Sequence, residues 1–287
     1  MGTVPTESTA ECARADASRL DEAVAFARAC VRVSLLAVWT LGCFGARLVV
    51  LPVAVVSGDG ERRLRGAVLR AWGRGVCRIV NARVNVQGPI PTGPFILVSN
   101  HLSFFDVIVY ARLLGCVFVS MAEVGQWPLV GTLARGLNTV FINRARRRDV
   151  ARVNGLIAVD LSRGDGVLIF PESTTSYGDT VLPFYSALLQ PAVERQQPVH
   201  YAAISYVTRP GEDSVEHAIC WVDDTPFAVQ AFRLLRLTRF DVCVRFGDAP
   251  IAALDRKHLA TSLHTAVVAL QHGDEATISE RKRGAEH

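Results

Sequence analysis

Lysine is almost absent from this sequence. Only Lys257 and Lys282 are lysines, so arginine carries nearly all of the positive charge behind the net charge of +4. Compositional bias explains this pattern as well as any function does. A mildly basic surface would also suit anionic lipid headgroups or an anionic carrier.

Motifs that define several common protein classes are missing as well. The seven cysteines are scattered singly, without a C-x-x-C pair or the spacing of a metal site, which fits a reducing compartment. The absence of G-x-S-x-G argues against a serine esterase. Without G-x-G-x-x-G or a P-loop sequence, nucleotide chemistry is not indicated. We expect neither a metal site nor a nucleic-acid partner.

A long apolar run follows the polar N-terminus. Half of all residues are apolar, and Arg47 is the one charge within residues 33–56. As a straight helix this run would extend about 36 Å, enough to cross a bilayer core of roughly 30 Å. Arg47 is costly in hydrocarbon, and Pro52 would kink a helix. The run predicts a tilted span or two short helices in one leaflet. The alternative is a buried helix of a soluble protein.

The charges around this run predict its orientation. Residues 1–22 are acid-leaning and lack the basic start of a secretory signal peptide, whereas arginines follow the run at positions 62, 63, 65, 70 and 74. The positive-inside rule then places the larger C-terminal part in the cytoplasm. We therefore expect a protein of the inner membrane whose main domain faces the cytoplasm.

From about residue 78, short apolar runs alternate with stretches of helical spacing. The predicted strands are Phe95–Ser99, Val117–Met121, Thr139–Ile142, Val167–Phe170, Val199–Ser205, Glu216–Val222 and Val242–Phe246. The predicted helices are 103–114, 148–163, 183–195 and 255–271. This alternation predicts an α/β fold with a mostly parallel central sheet flanked by helices. The predicted divisions are a polar tail (1–22), a membrane-associated helical segment (23–77), an α/β domain (78–272) and a charged, disordered tail (273–287).

The segment Asn100-His101-Leu102-Ser103-Phe104-Phe105-Asp106 follows a predicted buried strand, at the place where α/β proteins gather reactive groups. Five helical residues rotate by about 500°, so His101 and Asp106 would not share a helix face. They can meet only if His101 lies in the loop and Asp106 in the first helical turn. Asp106 would then orient the imidazole, whose other nitrogen could take a proton from an alcohol. The alternative is that Ser103 and Asp106 only form a capping box.

Two further strands end in polar residues. The run Thr139-Val140-Phe141-Ile142-Asn143-Arg144 ends in an arginine that could hold a phosphate or lie in a solvated basic loop. The run Val167-Leu168-Ile169-Phe170-Pro171-Glu172-Ser173-Thr174-Thr175-Ser176 ends in a turn rich in hydroxyls beside one carboxylate. This turn could line a site or cap a helix.

In this order and spacing, the three segments resemble the glycerolipid acyltransferase family, whose bacterial type member is the 1-acylglycerol-3-phosphate acyltransferase. NHLSFFD is similar to the family's N-H-x-x-x-x-D block, FINR to its second block and FPESTTS to its F-P-E-G-T-x-S block. The likeness covers about residues 94–206. It implies an acyl group moving from acyl-CoA or acyl carrier protein to a lysolipid hydroxyl, beside membrane lipids and without an organic cofactor.

The resemblance also implies roles for individual residues. It implies that His101 is the general base and that Asp106 orients it. The implied substrate-binding residues are Asn100, Ser103, Arg144, Glu172, Ser173 and Thr174, with Arg144 on the acceptor's phosphate and Glu172 helping to hold the acceptor. The expected product is phosphatidic acid, made from 1-acylglycerol-3-phosphate.

Three departures from the family pattern concern the acceptor. Ser173 replaces the glycine after the motif glutamate, Tyr185-Ser186 follows the L-P-F block where many members have lysine and glycine, and Tyr201 replaces a second proline. These changes weaken the prediction of a small phosphomonoester headgroup. Relatives that acylate lyso-ornithine lipid or other lysophospholipids share a similar T-T-S and L-P-F-x-S arrangement. Two other functions stay open, a non-catalytic lipid-binding scaffold and a thioesterase that uses water as acceptor.

Overall fold

A computed structural model describes residues 7–56, 59–127, 130–143, 146–222 and 224–284. The strands are β1 (Ala82–Gln87), β2 (Ile96–Ser99), β3 (Val117–Met121), β4 (Val140–Ile142), β5 (Val167–Ile169), β6 (Val199–Thr208) and β7 (Phe240–Phe246). The helices are α1 (Glu7–Val56), α2 (Gly60–Ile79), α3 (Phe104–Leu114), α4 (Val130–Gly136), α5 (Arg147–Ser162), α6 (Gln190–Glu194), α7 (Val215–Ala218), α8 (Phe227–Arg236) and α9 (Arg256–Gly284). Short 3₁₀ turns cover Val124–Gln126 and Ser186–Leu189.

The seven strands form one sheet in the order β1-β7-β6-β2-β5-β3-β4. All neighbouring pairs are parallel except β6 and β7, which are antiparallel. The prediction of a mostly parallel sheet flanked by helices is therefore confirmed. Strands β7 and β1, at one edge of the sheet, therefore run opposite to the other five strands.

Alternating side chains of the central strands build two hydrophobic cores. Leu97 and Leu168 point into the core that includes α2, α3 and α8. Ile96 and Val167, their neighbours in sequence, point into the opposite core with α5 and α9. Since successive residues of a strand face opposite sides, short runs such as Ile-Leu-Val are buried on both faces, as expected between two helix layers.

Some predicted elements are wrong or incomplete. The strand predicted over residues 216–222 is wrong, because α7 (Val215–Ala218) occupies the first part of this segment. The Ser214 hydroxyl caps α7 by accepting the His217 N–H. The predicted helix 183–195 is reduced to a 3₁₀ turn and α6, which starts with Pro191 in its first turn. Strand β1 was not predicted. Helix α9 continues to Gly284 through the segment predicted to be disordered, which is rich in the helix formers alanine, glutamate and arginine.

Helix α1 joins the predicted tail and the apolar run in one continuous helix that passes through Pro52 to Val56. Between Arg19 and Val56 it is long and apolar enough to cross a membrane. One stripe of α1 is half-buried or buried, at residues 25, 29, 32, 36, 40, 43, 47, 51 and 54, a helical repeat of three and four residues. The opposite side exposes large apolar residues, among them Leu20, Val24, Val31, Leu35, Val38, Leu41, Leu48 and Val53.

The partners of that stripe lie along the folded domain. Near its start, the Arg32 guanidinium donates to the Leu235 carbonyl at the end of α8 (2.9 Å). Farther along, the Trp39 indole donates to the Trp72 carbonyl of α2 (3.1 Å). Arg47, the charge that complicated the apolar run, forms an ion pair with Glu61 of α2 (2.7 Å). Arg47 thus points toward the domain rather than into hydrocarbon. The alternative that the apolar run is a buried core helix does not fit the structure, because one side of α1 is exposed and apolar.

Candidate active site

The predicted catalytic segment, Asn100–Asp106, directly follows β2. His101 occupies the loop between β2 and α3, and Asp106 lies in the first turn of α3, the one arrangement that the five-residue spacing allows. The His101 Nδ1 and Asp106 Oδ2 atoms are 2.8 Å apart. The expected geometry of the pair is confirmed.

The Asp106 carboxylate also caps α3. Its Oδ2 accepts the N–H groups of Leu102 (2.7 Å) and Ser103 (3.0 Å), while the Ser103 hydroxyl accepts the N–H of Phe105 (3.2 Å). This is the capping box that stood as the alternative to a catalytic pair. The capping box and the contact with the imidazole are both present at this carboxylate, because one oxygen faces the loop backbone and the imidazole together.

The two side chains of the pair differ sharply in exposure. The Asp106 side chain is fully buried, whereas the His101 side chain is 21% exposed. The imidazole stacks on the Phe170 ring with centroids 4.0 Å apart and an interplanar angle of 14°. Among the described residues none hydrogen-bonds to His101 Nε2, so this nitrogen is the one that can meet an incoming group.

Glu172, just after β5, hydrogen-bonds to the loop that carries His101. Its Oε1 accepts the backbone N–H of His101 (2.9 Å) and its Oε2 accepts the N–H of Leu182 (3.1 Å). Burial raises the pKa of Glu172 to about 7, against the opposing effect of these two backbone donors. Glu172 therefore changes charge near neutral pH while holding the backbone of the histidine.

The loop after β5 makes two further backbone hydrogen bonds beside Glu172. The Ser176 N–H donates to the His101 carbonyl (2.9 Å), and the Tyr185 N–H donates to the Pro171 carbonyl (2.9 Å). The second of these bonds joins the residue after the L-P-F block to the proline of the F-P-E block. The two blocks are thereby held together as the ends of one closed loop.

Two predicted substrate-binding residues, Asn100 and Ser103, are buried and hydrogen-bond to backbone groups that hold the loop in place. Asn100 exchanges two hydrogen bonds with the backbone of Ile204 on β6, donating through Nδ2 (3.0 Å) and accepting at Oδ1 (2.8 Å). The register pairs Ser99 with Ala202, so this amide continues the β2–β6 ladder past the end of β2. Ser103 is the helix cap. Their contact with substrate stays a prediction, as does that of Glu172, whose described contacts are to backbone.

The remaining predicted residues lie at the rim or outside the described structure. Thr174 is exposed, and Ser173 is half-buried. Ser173 has a φ of 67°, in the left-handed region where the family pattern has glycine. Arg144 lies outside the described residues, so its contact with a phosphate stays a prediction.

Tyr206 is the residue at this site that the sequence did not indicate. It lies on β6, is buried, and donates its hydroxyl proton to Asp106 Oδ1. Phe170, the ring on which His101 stacks, was predicted as the last residue of a strand and the first of the FPESTTS block, without a role of its own. Tyr206 has no local sequence signal that separates it from a core aromatic residue.

Comparisons with known proteins agree with this geometry. A family model described as Acyltransferase matches residues 83–205. The lyso-ornithine lipid O-acyltransferase of Pseudomonas aeruginosa is 34% identical over 221 residues, covering 76% of this chain and 84% of that protein. The 1-acyl-sn-glycerol-3-phosphate acyltransferase of Neisseria meningitidis is 34% identical over 157 residues, covering 54% of this chain and 61% of that protein.

A solved structure supports the fold. The 1-acyl-sn-glycerophosphate acyltransferase PlsC of Thermotoga maritima superposes with a TM-score of 0.56 at 20% identity, covering 85% of this chain and 98% of that one. The expected resemblance is confirmed, and the chain belongs to the acyltransferase family that includes the lyso-ornithine lipid and 1-acylglycerol-3-phosphate acyltransferases.

Proposed function

We propose that this enzyme moves an acyl group from a thioester donor, acyl-CoA or acyl carrier protein, to the hydroxyl of a lysolipid. The observation that carries the proposal is the His101–Asp106 pair, with its imidazole Nδ1 held by a buried carboxylate and its Nε2 toward the exposed side. Nε2 takes the proton of the lipid hydroxyl as the oxygen attacks the thioester carbonyl carbon. The tetrahedral intermediate collapses, the carbon–sulfur bond breaks, and the imidazolium returns its proton to the departing thiolate.

For the acceptor, we place lyso-ornithine lipid ahead of 1-acylglycerol-3-phosphate. In sequence, two lyso-ornithine lipid O-acyltransferases match more than two thirds of this chain, whereas two 1-acylglycerol-3-phosphate acyltransferases match about half of it. Ser173 supports the same order, because it adds a side chain at a left-handed backbone position where the phosphate-accepting pattern has glycine. The sequence-based expectation of phosphatidic acid as product becomes the second candidate.

We also propose that α1 lies in one leaflet and does not cross the bilayer. Its packed stripe runs from residue 25 to residue 54, about 45 Å of helix lined by the folded domain. A helix covered over that length on one side cannot also be surrounded by hydrocarbon. The exposed apolar side would instead enter the interface, with the domain on the cytoplasmic side of the inner membrane.

The substitution His101→Ala tests the mechanism. Loss of a positioned general base is expected to lower acyl transfer by at least ~100-fold. Purified enzyme would be given both thioester donors with lyso-ornithine lipid, 1-acylglycerol-3-phosphate or lysophosphatidylcholine, and the diacyl product measured by mass spectrometry. Near-normal turnover by folded His101→Ala enzyme would contradict the mechanism. Free fatty acid in place of diacyl product would indicate a thioesterase.

The substitution Glu172→Gln tests the role of the two backbone hydrogen bonds that Glu172 accepts. Above pH 7 the wild-type carboxylate accepts two backbone N–H groups, whereas the glutamine amide offers one oxygen and sets an N–H₂ group against the other donor. Below pH 7 the wild-type side chain is itself neutral, because its pKa is about 7. We expect the ratio of wild-type to variant activity to rise with pH, from near one to about tenfold. A ratio that stays constant between pH 5.5 and 8.5 would contradict this role.

The substitution Ser173→Gly tests acceptor choice. Glycine adopts a φ of 67° without the cost that serine has there, about 1 kcal/mol, and it removes the side chain from the turn. We expect kcat/KM for 1-acylglycerol-3-phosphate to rise relative to lyso-ornithine lipid. Thr180→Ala, at an exposed position farther along the same loop, is the control and should leave this preference unchanged. An unaltered preference in Ser173→Gly would show that this residue does not select the acceptor.

Epitope tags at both chain ends test the position of α1. With the helix in one leaflet, both tags lie on the same side of the membrane. A protease added to inverted membrane vesicles should therefore remove both tags. Protection of the N-terminal tag alone, with the vesicles intact, would show that α1 crosses the bilayer.

A further inference from the structure

The buried carboxylate of the catalytic pair receives donors from two directions. Oδ2 faces His101 Nδ1 and the backbone N–H groups of Leu102 and Ser103, all from the loop that carries the histidine. Oδ1 accepts the hydroxyl proton of Tyr206, which lies 100 positions away on β6. Among the described residues, Tyr206 is the one donor to Oδ1.

We propose that Tyr206 is a positioning residue for acyl transfer, because its hydroxyl fixes which oxygen of Asp106 faces the imidazole. This inference rests on the proposed function. Tyr206 is not a catalytic residue, since it is buried and its hydroxyl is directed at the carboxylate rather than at the space beside Nε2.

The need for such a residue follows from the freedom of a carboxylate. The group can rotate about its Cβ–Cγ bond and exchange its two oxygens. The three donors on Oδ2 belong to one short loop, so they move with it. A donor on the sheet, at the opposite oxygen, links the orientation of the carboxylate to strand β6.

The strand that carries Tyr206 holds the catalytic loop at a second point. Ile204, two residues earlier on β6, exchanges two hydrogen bonds with the Asn100 amide immediately before His101. Ile204 uses its backbone and Tyr206 its side chain, so β6 holds both ends of the segment from Asn100 to Asp106. The position of the base is therefore set by the β2–β6 register.

Charge distribution favours the same role. Burial and the charge of Asp106 raise the pKa of Tyr206, so its hydroxyl keeps its proton and remains a donor. The other titratable groups that interact electrostatically with Asp106 or Tyr206 are His101 in the loop, Glu172 after β5, Tyr110 on α3 and Cys220 after α7. None of these donates a hydrogen bond to Oδ1.

The test is Tyr206→Phe, which keeps the ring and removes the donor. We expect kcat to fall by about tenfold, less than the ~100-fold or more expected for loss of the base itself, while KM for donor and acceptor changes little. The kcat–pH profile would be recorded as well, since a change in its shape would not follow from a loss of stability alone.

Tyr110→Phe is the matched control. Tyr110 is also fully buried and shares a hydrogen bond with the Ser99 hydroxyl (2.6 Å) rather than with the catalytic carboxylate. It should lose stability to a similar extent, with kcat and the pH profile close to those of wild type. Melting temperatures of both variants would be measured beside the kinetics.

The outcomes separate this inference from the proposed function. A Tyr206→Phe variant with wild-type kcat and pH profile, beside an inactive His101→Ala, would overturn the inference alone. Equal loss of kcat in the two tyrosine variants would also overturn it, because the effect would then be structural. An active His101→Ala variant would overturn the proposed function, and the inference with it.

Discussion

The arrangement of the site depends on one buried charge, the carboxylate of Asp106. A carboxylate without exposure to water is strongly disfavoured unless its oxygens are hydrogen-bonded. Here two backbone N–H groups, an imidazole nitrogen and a phenol hydroxyl surround it. Each of these partners is itself fixed, by the helix start or by the sheet, so satisfying the charge also fixes the histidine.

The same carboxylate resolves a conflict between stability and chemistry. A helix start needs acceptors for its free N–H groups, and a general base needs an acceptor behind its ring. Asp106 meets both needs through one oxygen because the loop folds His101 back over the first turn of α3. The proposed catalytic pair is thus a helix cap to which an imidazole has been added, and the local stability of the fold and the geometry of the site share one interaction.

Prediction from the sequence succeeded where the determining contacts are local. The spacing of His101 and Asp106 leaves one arrangement, and the strand before it is readable from its apolar run. The partners supplied by β6 could not be predicted, because the Asn100–Ile204 and Asp106–Tyr206 contacts depend on a register between segments about 100 residues apart. The strand predicted over residues 216–222 was wrong for a local reason, the cap that Ser214 supplies to α7.

The unequal burial of the catalytic pair explains why the surrounding loop matters for the acceptor. Asp106 is sealed, so the environment of His101 Nδ1 is the same for every substrate. The exposed side of the ring lies beside the loop that begins at Pro171, so the side chains of this loop can take part in the choice between lysolipids. That loop is closed by Glu172 at Leu182 and by Tyr185 at Pro171, and within it Ser173 takes a backbone conformation that suits glycine better. Departures from the family pattern can therefore accumulate in this loop and change the acceptor while the buried half of the site, and with it the chemistry, stays the same.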